Sequence, residues 1–152
     1  MWSEECGVWS EECGVKELQS KISIRVRFSE IDAMRVVWHG AYAKYFEDAR
    51  EQFGRDYGLS YELIERSGYF APLVDLSFQY KQPIRYDMAP VITITYRPAE
   101  SAKIVFDYEI LNPEDGTVMA TGHSVQVFMT PDYQLVWYTP DFYKEWKKQW
   151  NL

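Results

Sequence analysis

The chain has 152 residues, a net charge of −7 at pH 7 and a composition that is 47% hydrophobic and 17% aromatic. This composition excludes a disordered chain and supplies enough apolar side chains for one domain with a sizeable core. A chain of net negative charge also lacks the concentrated basic surface that nucleic acids require, so we expect no nucleic-acid partner. No stretch reaches the roughly 18 consecutive apolar residues of a membrane-spanning helix, and we expect no membrane span.

The amino terminus contains a tandem duplication, in which residues 2–8 are repeated as residues 9–15. The two copies hold both cysteines of the chain, Cys6 and Cys13. Two thiols without a nearby histidine cannot complete a tetrahedral zinc site. We therefore interpret residues 1–20 as a leader outside the domain. The segment has neither the basic flank nor the apolar run of a signal peptide, so we expect a cytoplasmic protein.

A strand followed by a long helix is predicted next. Residues 22–28 alternate apolar and polar side chains, which is typical of a half-buried strand. After Gly40, apolar side chains recur at three- and four-residue spacing, and charged side chains occupy the opposite face. Gly58 is expected to end this helix. The apolar face consists of Tyr42, Tyr45, Phe46, Ala49, Phe53 and Tyr57, and the charged face of Lys44, Asp48, Glu51 and Arg55.

The second half of the chain is predicted to be rich in strands. A short helix is predicted over residues 61–66, with Gly68 just beyond it as the stop signal. The turn sequence of residues 112–116 separates the last two strands. The predicted strands are residues 73–80, 91–96, 103–111 and 117–129.

A final helix is predicted from Thr139 as the N-cap and Pro140 as the first helical residue, with an apolar stripe of Phe142, Trp146 and Trp150. One long helix wrapped by an antiparallel sheet of about five strands is the simplest α+β arrangement for this order of elements. We therefore predict a domain over residues 21–138 and a C-terminal helical segment over residues 139–152.

The two histidines have different predicted surroundings. His123 has the same strand parity as Val125 and Val127, so we predict a hydrogen-bonded side chain that points toward the core or the helix. His39 lies seven residues after Asp32, just before the long helix. Unpaired N–H groups at a helix start can stabilise an oxyanion. A carboxylate beside them could attack a carbonyl or activate water, although the spacing alone also fits an Asp that caps a turn and an ordinary loop His.

Other chemistries have little support in the sequence. It contains no Gly-x-Ser-x-Gly nucleophile elbow and no glycine-rich phosphate loop. It also lacks a cluster of residues with metal-ligand spacing, and we expect neither a metal nor a cofactor.

Two segments resemble a known family. The run IRVRFSEIDAMRVVWHGAY (residues 24–42), together with Tyr45-Phe46-Glu47 and Ala49-Arg50, resembles the hotdog-fold acyl-CoA thioesterases of the 4-hydroxybenzoyl-CoA thioesterase type. The run FQYKQPIRYD (residues 78–87) is similar to the second recurring stretch of that family. The resemblance covers roughly residues 21–130. It implies the hotdog fold, with protomers joined edge to edge into a homodimer or homotetramer and active sites at the interface.

The resemblance also implies roles for individual residues. Asp32 would be the nucleophile or general base, and the backbone N–H of His39 would polarise the thioester carbonyl, with its side chain orienting substrate or water. Tyr42 is expected to contact the acyl group. Lys81 and Arg85 are the implied candidates for the phosphates of coenzyme A, and two further candidates are Arg97 and Lys103. We favour coenzyme A over an acyl carrier protein because this acidic chain would repel an acidic carrier.

One residue departs from the family pattern. The family usually has glycine at the third position after the aspartate, where this chain has Arg35. Either the loop takes an ordinary conformation here, or Arg35 points outward and meets an anionic substrate. Besides a thioesterase, the sequence leaves open a non-catalytic module that binds acyl-CoA and a hydratase of the related hotdog group, whose own histidine motif is not evident.

Overall fold

The structure is a computed structural model that describes residues 17–152, together with the backbone of a two-residue ladder between Trp2–Ser3 and Val8–Trp9. Cys6 and Cys13 lie outside the described residues, as does most of the predicted leader. The main sheet already begins at Gln19, two residues before the predicted start of the domain.

Five antiparallel strands form one sheet against a single long helix, which confirms the predicted α+β arrangement. The strands are β1 (Gln19–Ser23), β2 (Leu73–Tyr80), β3 (Val91–Arg97), β4 (Lys103–Leu111) and β5 (Val118–Val127). Their order in the sheet is β1-β3-β4-β5-β2, so that β1 and β2 form its two edges. Three of the four later strands match the prediction within one residue, and β5 is shorter than predicted at both ends.

The long helix α1 (Tyr42–Tyr57) lies on the inner face of the sheet and ends as predicted. Gly58 has φ +77°, and its N–H donates to the carbonyl of Gly54, which is the left-handed C-terminal cap that glycine favours. Phe46 is fully buried and stacks on Tyr108 of β4 with ring centroids 4.3 Å apart. The predicted apolar face is buried, except that Tyr57 is only partly so, and all four residues of the predicted charged face are exposed.

The predicted first strand, residues 22–28, starts three residues too late and ends five residues too late compared with β1. Its ladder with β3 ends at the pair Ser23 and Val91. The next residue of the neighbouring segment is Pro90, which has no N–H to donate, so only its carbonyl accepts a bond from Ile24 at 2.8 Å. Ile24 and Val26 follow the end of β1, but their side chains are still buried in the core. The alternation of apolar and polar residues therefore continues beyond the strand, which made the predicted strand end too late.

The prediction for His123 was wrong about the face of the sheet. Ser124 and Gln126 are the buried residues of this part of β5, whereas the His123 side chain is 41% exposed on the outer face. The inner face opposite α1 also includes Gly122, where an added Cβ would lie 2.1 Å from the Phe46 ring. From Gly122 to Gln126, small and polar residues thus occupy the inward positions of β5, whereas Val125 and Val127 on the other face are only partly buried. The alternation of apolar residues therefore predicted the wrong face. His123 is hydrogen-bonded as expected, through Nδ1 to Asp107 Oδ1 at 2.7 Å.

Two shorter helices complete the fold. The predicted helix α2 (Tyr61–Arg66) is confirmed, and its N-cap is Ser60, whose hydroxyl accepts from the N–H of Leu63 at 3.1 Å. Helix α3 (Asp141–Gln149) starts one residue later than predicted, with Pro140 rather than Thr139 at the N-cap. Among the described residues, no helix is both long and apolar enough to cross a membrane.

Helix α3 packs against the domain with a face that differs from the predicted stripe. Its most buried residues are Tyr143 and Trp146, whereas Phe142 and Trp150 are only partly buried. The indole N–H groups of Trp146 and Trp150 both donate to the carbonyl of Tyr57 at the end of α1, at 2.7 and 3.1 Å. These bonds satisfy a helix-end carbonyl that would otherwise lack a partner.

Candidate functional site

Asp32 lies in a tight turn that its own carboxylate stabilises. Its N–H donates to the carbonyl of Val36 at 2.9 Å, and the N–H of Arg35 donates to the carbonyl of Asp32 at 3.0 Å. Asp32 Oδ1 accepts from the N–H of Met34 at 2.8 Å and from that of Val36 at 3.4 Å. Among residues 17–152, the other oxygen, Oδ2, makes no hydrogen bond. The half-buried carboxylate is therefore held by one oxygen, and the second is available to a ligand.

Arg35 has φ +65°, so this turn keeps the left-handed conformation that favours glycine. Of the two alternatives that the sequence left open for this loop, the ordinary conformation is therefore wrong. The side chain of Arg35 is exposed, and it forms no ion pair within residues 17–152. A long cation is therefore tolerated here because it projects into solvent.

A 3₁₀ turn, His39–Ala41, leads directly into α1. The N–H of Ala41 donates to the carbonyl of Trp38 at 2.9 Å, but the N–H groups of His39 and Gly40 have no acceptor within residues 17–152. A Cβ added to Gly40 would lie 2.3 Å from the Trp38 indole, so a larger residue at this position would have to displace that half-exposed ring. Two unpaired N–H groups thus lie at the positive end of a 16-residue helix, which is an arrangement suited to a developing negative charge.

A cavity of about 290 Å³ joins the Asp32 turn to the helix start. The predicted site residues Asp32, His39, Tyr42 and Lys81 all line it. The remaining lining residues are Met34, Val36, Val37, Tyr80, Gln82 and Pro83. The structure therefore brings together four of the five residues that we predicted for the site.

Arg85, the fifth, is not among the residues that line this cavity. Its Nε lies 3.6 Å from Asp87 Oδ1 in an exposed ion pair. Arg97 lies on the outer face of the sheet, where it pairs with Glu17 and Asp107 at 2.8 Å each. A separate cleft of about 470 Å³ contains Arg97, Asp107 and His123, and it shares no lining residue with the Asp32 cavity.

Sequence reasoning did not identify Tyr80, which is the last residue of the edge strand β2. Its hydroxyl donates to the carbonyl of His39 at 2.9 Å, across 41 residues of sequence. Its ring meets that of Tyr42 edge to face, with centroids 4.8 Å apart. Burial and the neighbouring Tyr80 raise the pKa of Tyr42 to about 12, so Tyr42 is a neutral phenol at physiological pH. The only available signal was the position of Tyr80 within the second family-like segment.

Glu30 is a second residue that the sequence did not single out, and it connects the Asp32 turn to helix α1. Its carboxylate is buried and accepts from the Tyr45 hydroxyl at 2.7 Å and the Arg27 N–H at 2.9 Å, while Lys44 Nζ lies 3.2 Å away. Burial raises the pKa of Glu30, but these partners lower it further, to below its ordinary value. The carbonyl of Glu30 also accepts from the N–H of Trp38 at 2.7 Å. Glu30 thereby ties both ends of the Asp32 loop to α1.

Comparisons with known proteins identify the family of this chain and its fold. A family model described as the thioesterase-like superfamily matches residues 26–146. The Bacillus subtilis (strain 168) protein named "Putative acyl-CoA thioesterase YneP" is 34% identical over 94 residues, which are 62% of this chain and 68% of that protein.

Solved structures are similar over most of the chain. A DHNA-CoA thioesterase from Staphylococcus aureus has a TM-score of 0.77 and 30% identity, covering 88% of this chain and 92% of that one. A 1,4-dihydroxy-2-naphthoyl-CoA thioesterase from Synechocystis has a TM-score of 0.75 at 19% identity, covering 88% and 98%, and supports the fold alone. The chain therefore belongs to the thioesterase-like superfamily, and its single helix packed on an antiparallel sheet is the hotdog fold.

Proposed function

We propose that this protein hydrolyses an acyl-CoA to a free acid and coenzyme A, with Asp32 as the catalytic carboxylate. One observation carries the proposal. The free Oδ2 of Asp32 and the unpaired N–H groups of His39 and Gly40 belong to residues at the same cavity or directly beside it. A carbonyl oxygen that accepts from a helix-start N–H leaves its carbon open to attack from the carboxylate side.

Two routes use these groups, and both consume one water. In the nucleophilic route, an oxygen of Asp32 bonds to the thioester carbon and the C–S bond breaks, which gives a mixed anhydride that water then hydrolyses. In the general-base route, Asp32 takes a proton from a water whose oxygen bonds to the same carbon, and the proton passes to the departing thiolate. In either route, the N–H of His39 stabilises the negative charge that develops on the carbonyl oxygen.

The other cavity residues suggest how the substrate is held. The neutral phenols of Tyr42 and Tyr80 offer an aromatic wall to the acyl group. Lys81 at the rim is the cation best placed for the phosphates of coenzyme A, and Arg85 is a more distant candidate. The relatives described above are named as a putative acyl-CoA thioesterase and a DHNA-CoA thioesterase. We infer an aryl or acyl thioester of coenzyme A, of which the 4-hydroxybenzoyl-CoA type is one case.

We also propose a homodimer or homotetramer with active sites at the interface, as the family resemblance implies. The supporting feature is β2, an eight-residue edge strand whose outer side has no partner strand within the described sheet. Its residue Val74 is 59% exposed, and Met34 beside Asp32 is 76% exposed. A long unprotected edge is suited to pairing with a second copy of the same strand.

The alternative is a non-catalytic module that binds acyl-CoA. This alternative is favoured by the exposed Arg35 in the Asp32 turn, because a cation there could hold a substrate anion without promoting hydrolysis. The two functions can be distinguished by measuring acyl-CoA binding and thiol release together. A binding module would bind acyl-CoA tightly and release no thiol, whereas the proposed enzyme releases thiol at every turnover.

Thiol release from a panel of aryl- and fatty-acyl-CoA thioesters tests the proposal. We expect Asp32→Ala to lose about a hundredfold or more of kcat/KM on the best substrate. The matched control is Asp48→Ala, which removes an exposed carboxylate from the outer face of α1 and should leave the rate unchanged. Undiminished turnover by Asp32→Ala would remove Asp32 from the mechanism, and the absence of thiol release by the wild type on every substrate would favour the binding module.

A further inference from the structure

Arg50 is a buried cation without a carboxylate partner among residues 17–152. It lies on α1 and is 7% exposed. Its Nη1 donates to the hydroxyl of Tyr108 at 3.0 Å, and its Nε donates to that of Tyr61 at 3.4 Å. The Tyr108 hydroxyl is itself bonded to Ser124 Oγ at 2.6 Å. Neutral hydroxyls satisfy donors but do not neutralise a buried charge, which is costly to hold without an anion.

A cavity of about 360 Å³ lies beside this guanidinium, between α1, α2 and the edge of the core at β4. Leu59, Ile64 and Phe106 give it apolar walls. Arg50 Nη2 donates no hydrogen bond within residues 17–152. Since no fully buried side-chain nitrogen among the described residues lacks a partner, Nη2 keeps some exposed surface, and Arg50 is one of the residues that line the cavity. The cavity therefore combines an apolar wall with a free pair of cationic donors.

The charges at the mouth of the cavity restrict what it can bind. Glu47 and Glu62 are exposed carboxylates that line it, and Glu51 is paired with Arg55 at 2.7 Å. These acids repel a polyanion such as the phosphates of coenzyme A. A single carboxylate on an apolar body avoids most of that repulsion, because its charge lies at depth against the planar donors of Arg50.

We propose that this cavity is a second small-molecule site, which binds an organic monocarboxylate with an aromatic or aliphatic body. The site is distinct from the Asp32 cavity, since the two share no lining residue. Arg50 also follows Tyr42 by eight residues, which is about 12 Å along the helix axis. The site goes beyond the proposed function and does not depend on it, because a protein that hydrolyses no thioester could still bind the acid.

Titration with benzoate, followed in two-dimensional amide NMR spectra of the whole chain, tests this site. We expect saturable shifts at the N–H groups of Gly54 and Leu59, which line the cavity. Benzamide, which has the same shape without the charge, should bind at least tenfold more weakly. Comparable binding of benzamide, or no shift at Gly54 and Leu59, would overturn the proposal. Shifts confined to His39 and Gly40 would also overturn it, because benzoate would then occupy only the Asp32 cavity.

Two variants distinguish a specific contact between Arg50 and benzoate from a general effect of positive charge on benzoate affinity. Arg50→Met keeps an unbranched apolar stem and removes the guanidinium with its charge, and it should lower benzoate affinity at least tenfold. Arg55→Met removes a cation that lines the same cavity, five residues further along α1, and should change the affinity less than twofold. Equal effects of the two variants would contradict a specific role for Arg50. If Arg50→Met does not fold, the comparison of benzoate with benzamide on the wild type still decides the question.

Discussion

The hydrogen bond between Tyr45 and Glu30 offers a direct test of how the Asp32 loop is held. The Tyr45 hydroxyl donates to Glu30 Oε1 at 2.7 Å, and both residues are buried, at 3% and 6% exposure. Tyr45→Phe removes the donor and little else. A buried hydrogen bond to a charged group contributes about 1.5–3 kcal/mol, so the free energy of unfolding should fall by about 2 kcal/mol. For a domain of this size, that loss corresponds to a decrease in Tm of about 4–8 °C.

Thermal and urea unfolding measure this effect, and Tyr133→Phe is the matched control. Tyr133 is 74% exposed, so the loss of its hydroxyl should change Tm by less than about 1 °C. Because Glu30 ties both ends of the loop to α1, Tyr45→Phe should also lower kcat more than it raises KM. Equal stability of the two Phe variants would refute the argument that the buried Glu30 carboxylate anchors the loop.

The remaining predictions concern pH, packing and backbone conformation. The pKa of Glu30 is lower in the folded state than in the unfolded chain, so its ionised form adds stability above about pH 4.3 that is lost as pH falls through the folded-state value. Glu30→Gln should therefore show a smaller loss of Tm on acidification than the wild type; identical pH profiles would contradict this. Gly122→Ala places a Cβ against the Phe46 ring and should cost about 1–3 kcal/mol in urea unfolding, whereas an unchanged midpoint would show that the ring moves aside freely. Arg35→Gly relieves the strain of the positive φ but gives the unfolded chain more conformational freedom, so the free energy of unfolding should change by less than about 1 kcal/mol. Thiol release should be retained. Its loss would show that the Arg35 side chain takes part in the reaction.

The elements with strong periodicity could be predicted from the sequence alone. The stripe from Tyr42 to Phe53 repeats at helical spacing over three turns, and Gly58 supplies a cap signal at its end. The errors came from positions where a neighbour decides the outcome. The first strand ends early because its partner segment reaches Pro90, and His123 faces outward because Gly122 makes room for Phe46 on the inner face. Neither contact has a local signature in the sequence.

The candidate site could be predicted where one segment contains it. Asp32, His39 and Tyr42 lie within a strand-to-helix junction whose geometry follows from its own turn and helix start. Tyr80 reaches the carbonyl of His39 from 41 residues away, and Glu30 is held by Tyr45 on the next element. These two contacts form only because β2 and α1 pack against the Asp32 loop, and the spacing of residues in the sequence does not predict that packing.

The isosteric variant Asp32→Asn tests the catalytic claim most directly. Asparagine retains an Oδ1 that accepts from Met34 and Val36, so the turn and the Tm should be preserved, while the anionic oxygen is lost. On the best acyl-CoA, kcat/KM should fall by about 10²–10⁴, which corresponds to about 3–5 kcal/mol of transition-state stabilisation. Asp48→Asn should match the wild type. A value of kcat/KM for Asp32→Asn within twofold of the wild type would contradict the assignment of Asp32 as the catalytic carboxylate.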